Sequence, residues 1–331
     1  MDKILVSVCC ITYNQEQYIR EAIEGFLMQK TNFKYEVIIR DDASTDATAN
    51  IIREYEEKYP DIIKPIYEET NKGVNELNFV LKNLFEKAQG KYIALCEGDD
   101  FWISEYKLQK QVDYLERNPE CSFCFHDADI LYMKNMKKER YFNSKRTYKE
   151  YISKNGNYDA SNIHLFGLGG APTASFMFRR DNALEFPKWY FNACCGDLPI
   201  KLLMTSYGYA HYIDEILSVY RKDTGISITD QWAKEQANNI EKAKKLKNKV
   251  IKILDDFDKF TNYKYKKGLD ISRKIYEVEI KVIEGKKKEI IKDKNLKKYY
   301  KIGFNDPFLI KLFIETYLPQ FYKFLRKILK K

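Results

Sequence analysis

Three carboxylates crowd into four positions at Glu97-Gly98-Asp99-Asp100, directly after the apolar run Tyr92-Ile-Ala-Leu95. Strand ends usually turn through neutral residues, because clustered carboxylates repel one another and lose hydration together when buried. Acids this close at a strand end suit a divalent cation, whose charge offsets the repulsion. A solvated acidic turn is the simpler alternative, and the spacing alone leaves both open. A second acidic group, Asp41-Asp42-Ala-Ser-Thr-Asp46, follows the run Tyr35–Ile39. Asp46 is placed to cap the next helix. Capping leaves Asp41 and Asp42 unexplained, and strand-end acids accept hydrogen bonds from ribose or base in dinucleotide sites.

The elements that must hold these groups alternate. Ile4–Ile11 is an apolar strand, and Gln15–Gln29 carries Ile19, Ala22, Ile23, Phe26 and Leu27 at helical spacing. Strands at Tyr35–Ile39, Ile62–Tyr67 and Lys91–Leu95 interleave with helices at Asp46–Tyr59 and Asn75–Ala88. This order predicts an α/β fold with an open, mostly parallel sheet flanked by helices. Ligands bind beyond the carboxyl ends of such strands. Thr12-Tyr13-Asn14, Asp41-Asp42 and Glu97–Asp100 all fall there. A helix at Lys107–Leu115 follows, then strands near Ser122–Phe125 and Ala174–Phe178, separated by an irregular, tyrosine-rich stretch, Lys134–Asn162. Asp197–Tyr207 reads as a helix and His211–Tyr220 as a closing strand.

Composition narrows the function classes. Hydrophobic residues make up 44% of the 331 residues and aromatics 15%, which supplies a large core and argues against disorder. Seven unevenly spaced cysteines in apolar runs argue against a disulfide framework and for a reducing compartment. Cys121 and Cys124 form a C-x-x-C on a strand, where positions three apart point to opposite faces and cannot share a metal. With three histidines, a histidine-rich zinc site or a Ser-His-Asp triad is poorly supported, and His126 reads as structural. No signal peptide and no membrane span are expected. Residues 1–231 carry 29 basic and 35 acidic side chains, whereas residues 232–331 carry 28 and 13, so a mildly acidic front precedes a strongly basic rear.

The segments Ser7-Val-Cys-Cys-Ile-Thr-Tyr-Asn14, Val37-Ile-Ile-Arg-Asp-Asp-Ala-Ser-Thr-Asp-Ala-Thr48, Asn71-Lys-Gly73, Gly90-Lys-Tyr-Ile93 and Glu97-Gly-Asp-Asp-Phe-Trp102 occur in an order that resembles glycosyltransferase family 2. The resemblance covers about residues 4–230. It implies a GT-A fold and inverting transfer of a sugar from a nucleotide donor. Glu97–Trp102 followed by Lys107-Leu-Gln-Lys-Gln-Val112 is similar to members that build bacterial capsular or surface polysaccharides.

The resemblance also implies roles. Thr12, Tyr13, Asn14, Asp41, Asp42, Asn71 and Gly73 would meet the nucleotide of a UDP-sugar. Asp99 falls at the metal-binding aspartate and would hold Mn²⁺ or Mg²⁺ against the diphosphate. Glu97 replaces the usual first aspartate of D-x-D and would reach ribose or metal. Asp197, in Gly196-Asp197-Leu-Pro199, is similar to the family's base, with a plain helix cap as the alternative. Arg221 would face the diphosphate, and Asp223 stands where the family often carries a metal-binding histidine. Asp100 and Trp102 would meet the acceptor, although an aromatic in this place equally suits the core.

The chain thus divides into a catalytic region, 1–231, and a basic helical region, 232–331. In the latter, residues 305–331 pair apolar and lysine faces as an in-plane helix on an anionic membrane does, and helix packing or self-association is the alternative. No nucleic-acid motif accompanies the basic charge. The expectation is a cytoplasmic enzyme, peripheral on the inner membrane face, with a glycan or lipid-linked sugar as acceptor. A sugar nucleotidyltransferase and an inactive nucleotide-binding scaffold are the alternatives.

Overall fold

The computed structural model describes residues 3–73, 76–142, 156–162, 170–231 and 239–303. Its first half follows the expected alternation: β1 (Ile4–Thr12), α1 (Ile19–Leu27), β2 (Lys34–Asp41), α2 (Thr48–Lys58), β3 (Ile63–Tyr67), α3 (Leu77–Lys87) and β4 (Tyr92–Leu95). β1 pairs in parallel with β2 on one side and β4 on the other, and β3 adds in parallel to β2. β1 is a nearly continuous apolar run because helices cover both faces of the sheet. Val6, Val8 and Cys10 enter one core layer with α1, α2 and α4 (Lys107–Arg117), while Cys9 enters the other.

The second half adds β5 (Phe101–Trp102), β6 (Cys121–Tyr132), β7 (Lys137–Arg140), β8 (Asn157–Tyr158), β9 (Met177–Arg179) and β10 (Tyr209–Lys222), with α5 (Lys188–Phe191) and α6 (Asp197–Tyr207) between the last two. Among the described residues the strands form one mixed sheet in the order β3-β2-β1-β4-β9-β6-β10-β5, with β7 on β6 and β8 on β10. β6 runs well past Phe125 because its buried pattern continues to Leu131. The stretch expected to be irregular holds β7 and β8, and its residues 143–155 lie outside the described residues. The strand expected at Ala174–Phe178 starts later, since Thr173–Ser175 forms a 3₁₀ turn.

Two expectations need correction. Cys121 and Cys124 share one core layer instead of opposite faces, because β6 carries an extra residue, Ser122, between its pairings with Tyr209 and Ala210. Both are free thiols that burial pushes up, Cys121 to about 12. The composition boundary at 231 is also not a packing boundary. α7 (Ile240–Phe260) and α8 (Lys266–Ile283) place Val250, Leu254, Phe257, Leu269 and Tyr276 in the same core as β4, β6 and α6. Gly268 permits this contact: a Cβ there would lie 1.9 Å from the Ser161 carbonyl oxygen. The lysines lie on the outer faces, several in ion pairs such as Lys244–Glu284 and Lys247–Glu279. Two shorter helices, α9 (Lys287–Lys292) and α10 (Lys294–Gly303), close the described chain around Val278 and Ile290. Residues 305–331 lie outside it. No described helix is long and apolar enough to cross a membrane.

Candidate active site

The turns after β1 and β2 are laced together. Asn14, held at a positive φ of 51°, donates its backbone N–H to Ser44 Oγ (2.8 Å) and accepts the Thr45 N–H on its side-chain oxygen (2.8 Å). Asp46 accepts from the Glu16 and Thr48 backbone amides (3.1 and 2.9 Å), so it serves two turns at once and Ala47 takes the formal cap position. Asp41 bonds the Ser44 hydroxyl and amide. The Asp42 carboxylate gathers the Lys72 and Gly73 amides at 3.1 and 3.2 Å, and its carbonyl accepts the Asn71 side-chain amide at 3.0 Å. Gly73 needs its glycine freedom here, with φ +62°. Thr12, Asp41 and Asp42 are buried, whereas Tyr13 is exposed at the rim.

The acidic turn lies beside this edge. Gly98 comes so close to the β1 turn that an added Cβ would sit 2.5 Å from Gln15 Oε1 and 2.8 Å from Thr12 Oγ1. Gln15 links the two, accepting from the Thr12 hydroxyl at 2.8 Å and hydrogen-bonding the Asp99 carboxylate. Burial raises all three carboxyls of the turn. Glu97 is pushed up to about 8, first by burial and then by the charges of Asp99 and Asp197, against a hydrogen bond from Thr173. Asp99 is raised by burial, against its own backbone N–H, Arg221 and Gln15, and Asp100 is raised much further. Three acids that ionise reluctantly mark a place where added positive charge is favoured.

Asp197 reaches the same patch from the first turn of α6. Burial would raise its carboxyl, but Lys201, one turn on with Nζ at 2.9 Å, brings it below the ordinary range. Glu97 and Asp197 are therefore neighbours of opposite tendency, one holding its proton and the other ionised. Such divergence separates acid from base in many active sites.

Several expected site residues have other roles in the structure. Trp102 is a core residue: its indole N–H donates to the Ala174 carbonyl at 2.8 Å, and Phe26 packs edge-on at 4.8 Å. It has no open face for an acceptor sugar. Asp100 is 1% exposed, with one oxygen on the Arg221 amide at 2.9 Å, and lies beneath the site. The Arg221 guanidinium is occupied by Glu21 and by the Asp99 carbonyl (2.7 Å) and is enclosed by the Tyr18 and Phe101 rings, so it braces the turn and does not face a diphosphate. Asp223 pairs with Lys134 at 3.5 Å, and the carboxylate whose charge reaches Asp99 from that segment is Asp230.

Gln15, Thr173, Lys201 and Asp230 were missed by sequence reasoning. Only Lys201 left a signal there, four residues after Asp197 on a helix. Among the described residues no three His, Cys, Asp or Glu side chains converge to hold a metal ion unaided. Mg²⁺ and Mn²⁺ are satisfied by one or two carboxylates with substrate phosphates and water. Asp99 therefore fits a cation that arrives with a diphosphate.

Over 127 residues the chain is 54% identical to an uncharacterized Mycobacterium tuberculosis protein, Rv1520, a match spanning 38% of this chain and 36% of the relative. Over 131 residues it is 37% identical to the putative teichuronic acid biosynthesis glycosyltransferase TuaG of Bacillus subtilis, spanning 39% of this chain and 48% of TuaG. The matched region is thus less than half of either relative. Among solved structures, S. aureus TarS 1-349 in complex with UDP-GlcNAc aligns with TM-score 0.51 and 16% identity, covering 83% of this chain and 91% of TarS 1-349. The mannosyltransferase PcManGT of Pyrobaculum calidifontis, in complex with GDP-Man and Mn²⁺, aligns with TM-score 0.54 and 15% identity over 95% and 87% of the two chains. At those identities the likeness shows the GT-A fold. The glycosyl transferase family 2 model matches residues 7–184, more than half of the chain, and the chain belongs to that family.

Proposed function

We propose that this protein transfers a sugar, with inversion, from a nucleotide-diphosphate donor to a glycan or lipid-linked acceptor in bacterial surface-polysaccharide synthesis. The observation that carries the reading is Glu97, whose carboxyl feels both Asp99 and Asp197. Asp99 and Asp197 thus lie near one another, which supports a donor-side ligand and a base acting in one place. In this reading Thr12, Asp41 and Asp42, with the Asn71–Gly73 turn, bound the nucleoside pocket, and the donor is a UDP-sugar. Asp99 would hold Mn²⁺ or Mg²⁺, which supplies charge neutralisation for the leaving diphosphate when bound. Asp197 takes the proton of the acceptor hydroxyl as that oxygen bonds the anomeric carbon and the bond to the diphosphate breaks. The titles of the TarS and PcManGT structures, with nucleotide sugars and in one case Mn²⁺, support the donor class. The name of TuaG supports the surface-polysaccharide setting. A lipid-linked acceptor would place the enzyme in the cytoplasm, peripheral on the inner membrane face, with residues 305–331 docking there or mediating self-association.

Product analysis with UDP-, GDP- and dTDP-sugars and Mn²⁺ tests this. Release of nucleoside diphosphate supports sugar transfer. Release of pyrophosphate from a nucleoside triphosphate and a sugar 1-phosphate, supplied in a parallel reaction, would make the protein a nucleotidyltransferase, and metal-dependent binding without turnover would make it an inactive scaffold.

A further inference from the structure

Lys107, at the start of α4, has no exposed surface, and its Nζ has no hydrogen-bond partner. Its Nζ sits 3.9 Å from the centre of the Trp102 ring, a contact that favours the cation but satisfies no N–H donor, and burial pushes the amine down to about 7. Three buried acceptor atoms are also unpartnered: Asp100 Oδ2, Gln111 Oε1 and His126 Nε2. Gln111 lies one helical turn from Lys107 and spends its amide nitrogen on the Cys124 and Ser175 carbonyls at 3.3 and 2.8 Å, leaving its oxygen over. His126 follows Cys124 by two residues on β6 and so shares its face. Its Nδ1 lies 2.7 Å from the Asp127 carbonyl, which makes Nδ1 the protonated nitrogen and Nε2 an acceptor. Burial, with Lys107 nearby, holds this imidazole neutral. The charges of Asp100 and Lys107 both reach Cys96, which places both near that thiol. A fourth unpartnered atom, Ser218 Oγ, belongs to the residue paired with Trp102 across β5 and β10. One amine with unmet donors and three acceptors with unmet lone pairs are thus buried on α4, β6 and the acidic turn.

We infer that Lys107 is a positioning residue for the donor site: a buried amine that, directly or through a bridging water, ties Asp100 to Gln111 and His126 and so fixes the turn that presents Asp99. Asp100 is then held at both oxygens, by the Arg221 amide on one side and by Lys107 on the other. Buried polar groups with complementary unmet valences are commonly joined by an ordered water. The consequence for donor binding rests on the role proposed above for Asp99; the bracing of the turn does not.

Two variants test the inference. Lys107→Met keeps the length and removes the charge, and Asp100→Asn keeps the shape and removes the acceptor charge. Hydrogen exchange is measured on the ligand-free proteins, peptide by peptide. Each variant is expected to speed exchange in the 96–103 segment by about tenfold or more while the β1, β2 and β4 peptides keep wild-type rates, and the double variant is expected to be no worse than either single one. Unchanged exchange at 96–103, or acceleration spread evenly over the chain, would overturn the inference. Calorimetric titration of Mn²⁺ in the presence of UDP supplies the second readout: each variant is expected to bind about tenfold more weakly, non-additively. Wild-type or tighter affinity in Lys107→Met would overturn the link to the donor site. Failure of the wild-type protein to bind Mn²⁺ with UDP would count against the proposed function alone, and the exchange data would still decide the role of Lys107.

Discussion

Lys201 Nζ lies 2.9 Å from the Asp197 carboxylate, one helical turn along α6, with its ammonium nearly fully buried. The pair explains why a carboxylate at a helix start, set beside the acidic Glu97, remains ionised. Replacing Lys201 by Met removes the counter-charge and returns control of Asp197 to burial, which raises its pKa. The acid limb of the pH–rate profile should then move to higher pH, with kcat near neutrality falling about tenfold. A profile superimposable on wild type would remove Asp197 from the role of base.

Glu97 makes a prediction about stability. Its carboxyl titrates near 8 when folded, against 4.5 for an ordinary glutamate. Between those values the folded protein keeps a proton that the unfolded chain has released. The native state gains from that proton below the ordinary pKa and loses the gain as pH rises through 8. In chelator, the Tm of wild type should therefore fall from pH 5 to pH 8, and Glu97→Gln should flatten that slope. Scanning calorimetry reads both, and an equal slope in the two proteins would contradict the assignment.

Trp102 separates packing from recognition. Its ring fills the layer between α1, α4 and β5, so Trp102→Ala should cost about 3–5 kcal/mol of stability. In Trp102→Phe, which keeps most of the ring volume, the acceptor KM should stay within a factor of about two, since transfer energy follows contacts with substrate. A large rise in acceptor KM without loss of stability would reinstate the ring as a sugar platform.

Gly98 tests the close approach of the two turns. A methyl there meets the Gln15 side chain, which can move, and the Thr12 Cβ at 2.9 Å, which is less free. Gly98→Ala should loosen the Thr12–Gln15–Asp99 chain and weaken nucleotide affinity by about tenfold, the order of a displaced buried hydrogen bond. Calorimetric titration with UDP and Mn²⁺ would show it, and unchanged affinity would mean that Gln15 does not transmit the contact.

The first half of the fold was legible because β1 to β4 and their helices each carry a strong period and end in polar residues. The second half was harder to read. β6 hides its length in polar-looking residues such as His126 and Asp127, which are fully buried, and the bulge at Ser122 reverses the face of Cys121 without any mark in composition. The basic character of α7 and α8 suggested a separate region, yet their apolar stripes complete the main core, since lysines on outer faces say nothing about what inner faces cover. Asp99 and Asp197 were visible as acids at element boundaries. Arg221, Asp100 and Trp102 were named for the site but brace it from behind, because chain proximity to a motif does not tell which way a side chain points.

The central claim is that Asp99 and Asp197 serve one sugar-transfer centre through different steps. It is tested most directly by following nucleoside diphosphate release from a UDP-sugar with Mn²⁺, water serving as acceptor where no glycan is supplied, in wild type, Asp99→Asn and Asp197→Asn. The account predicts UDP release by wild type, loss of Mn²⁺-dependent UDP binding in Asp99→Asn, and retained binding with turnover reduced by about a hundredfold or more in Asp197→Asn. Full turnover in Asp197→Asn, or undiminished Mn²⁺-dependent binding in Asp99→Asn, would contradict it.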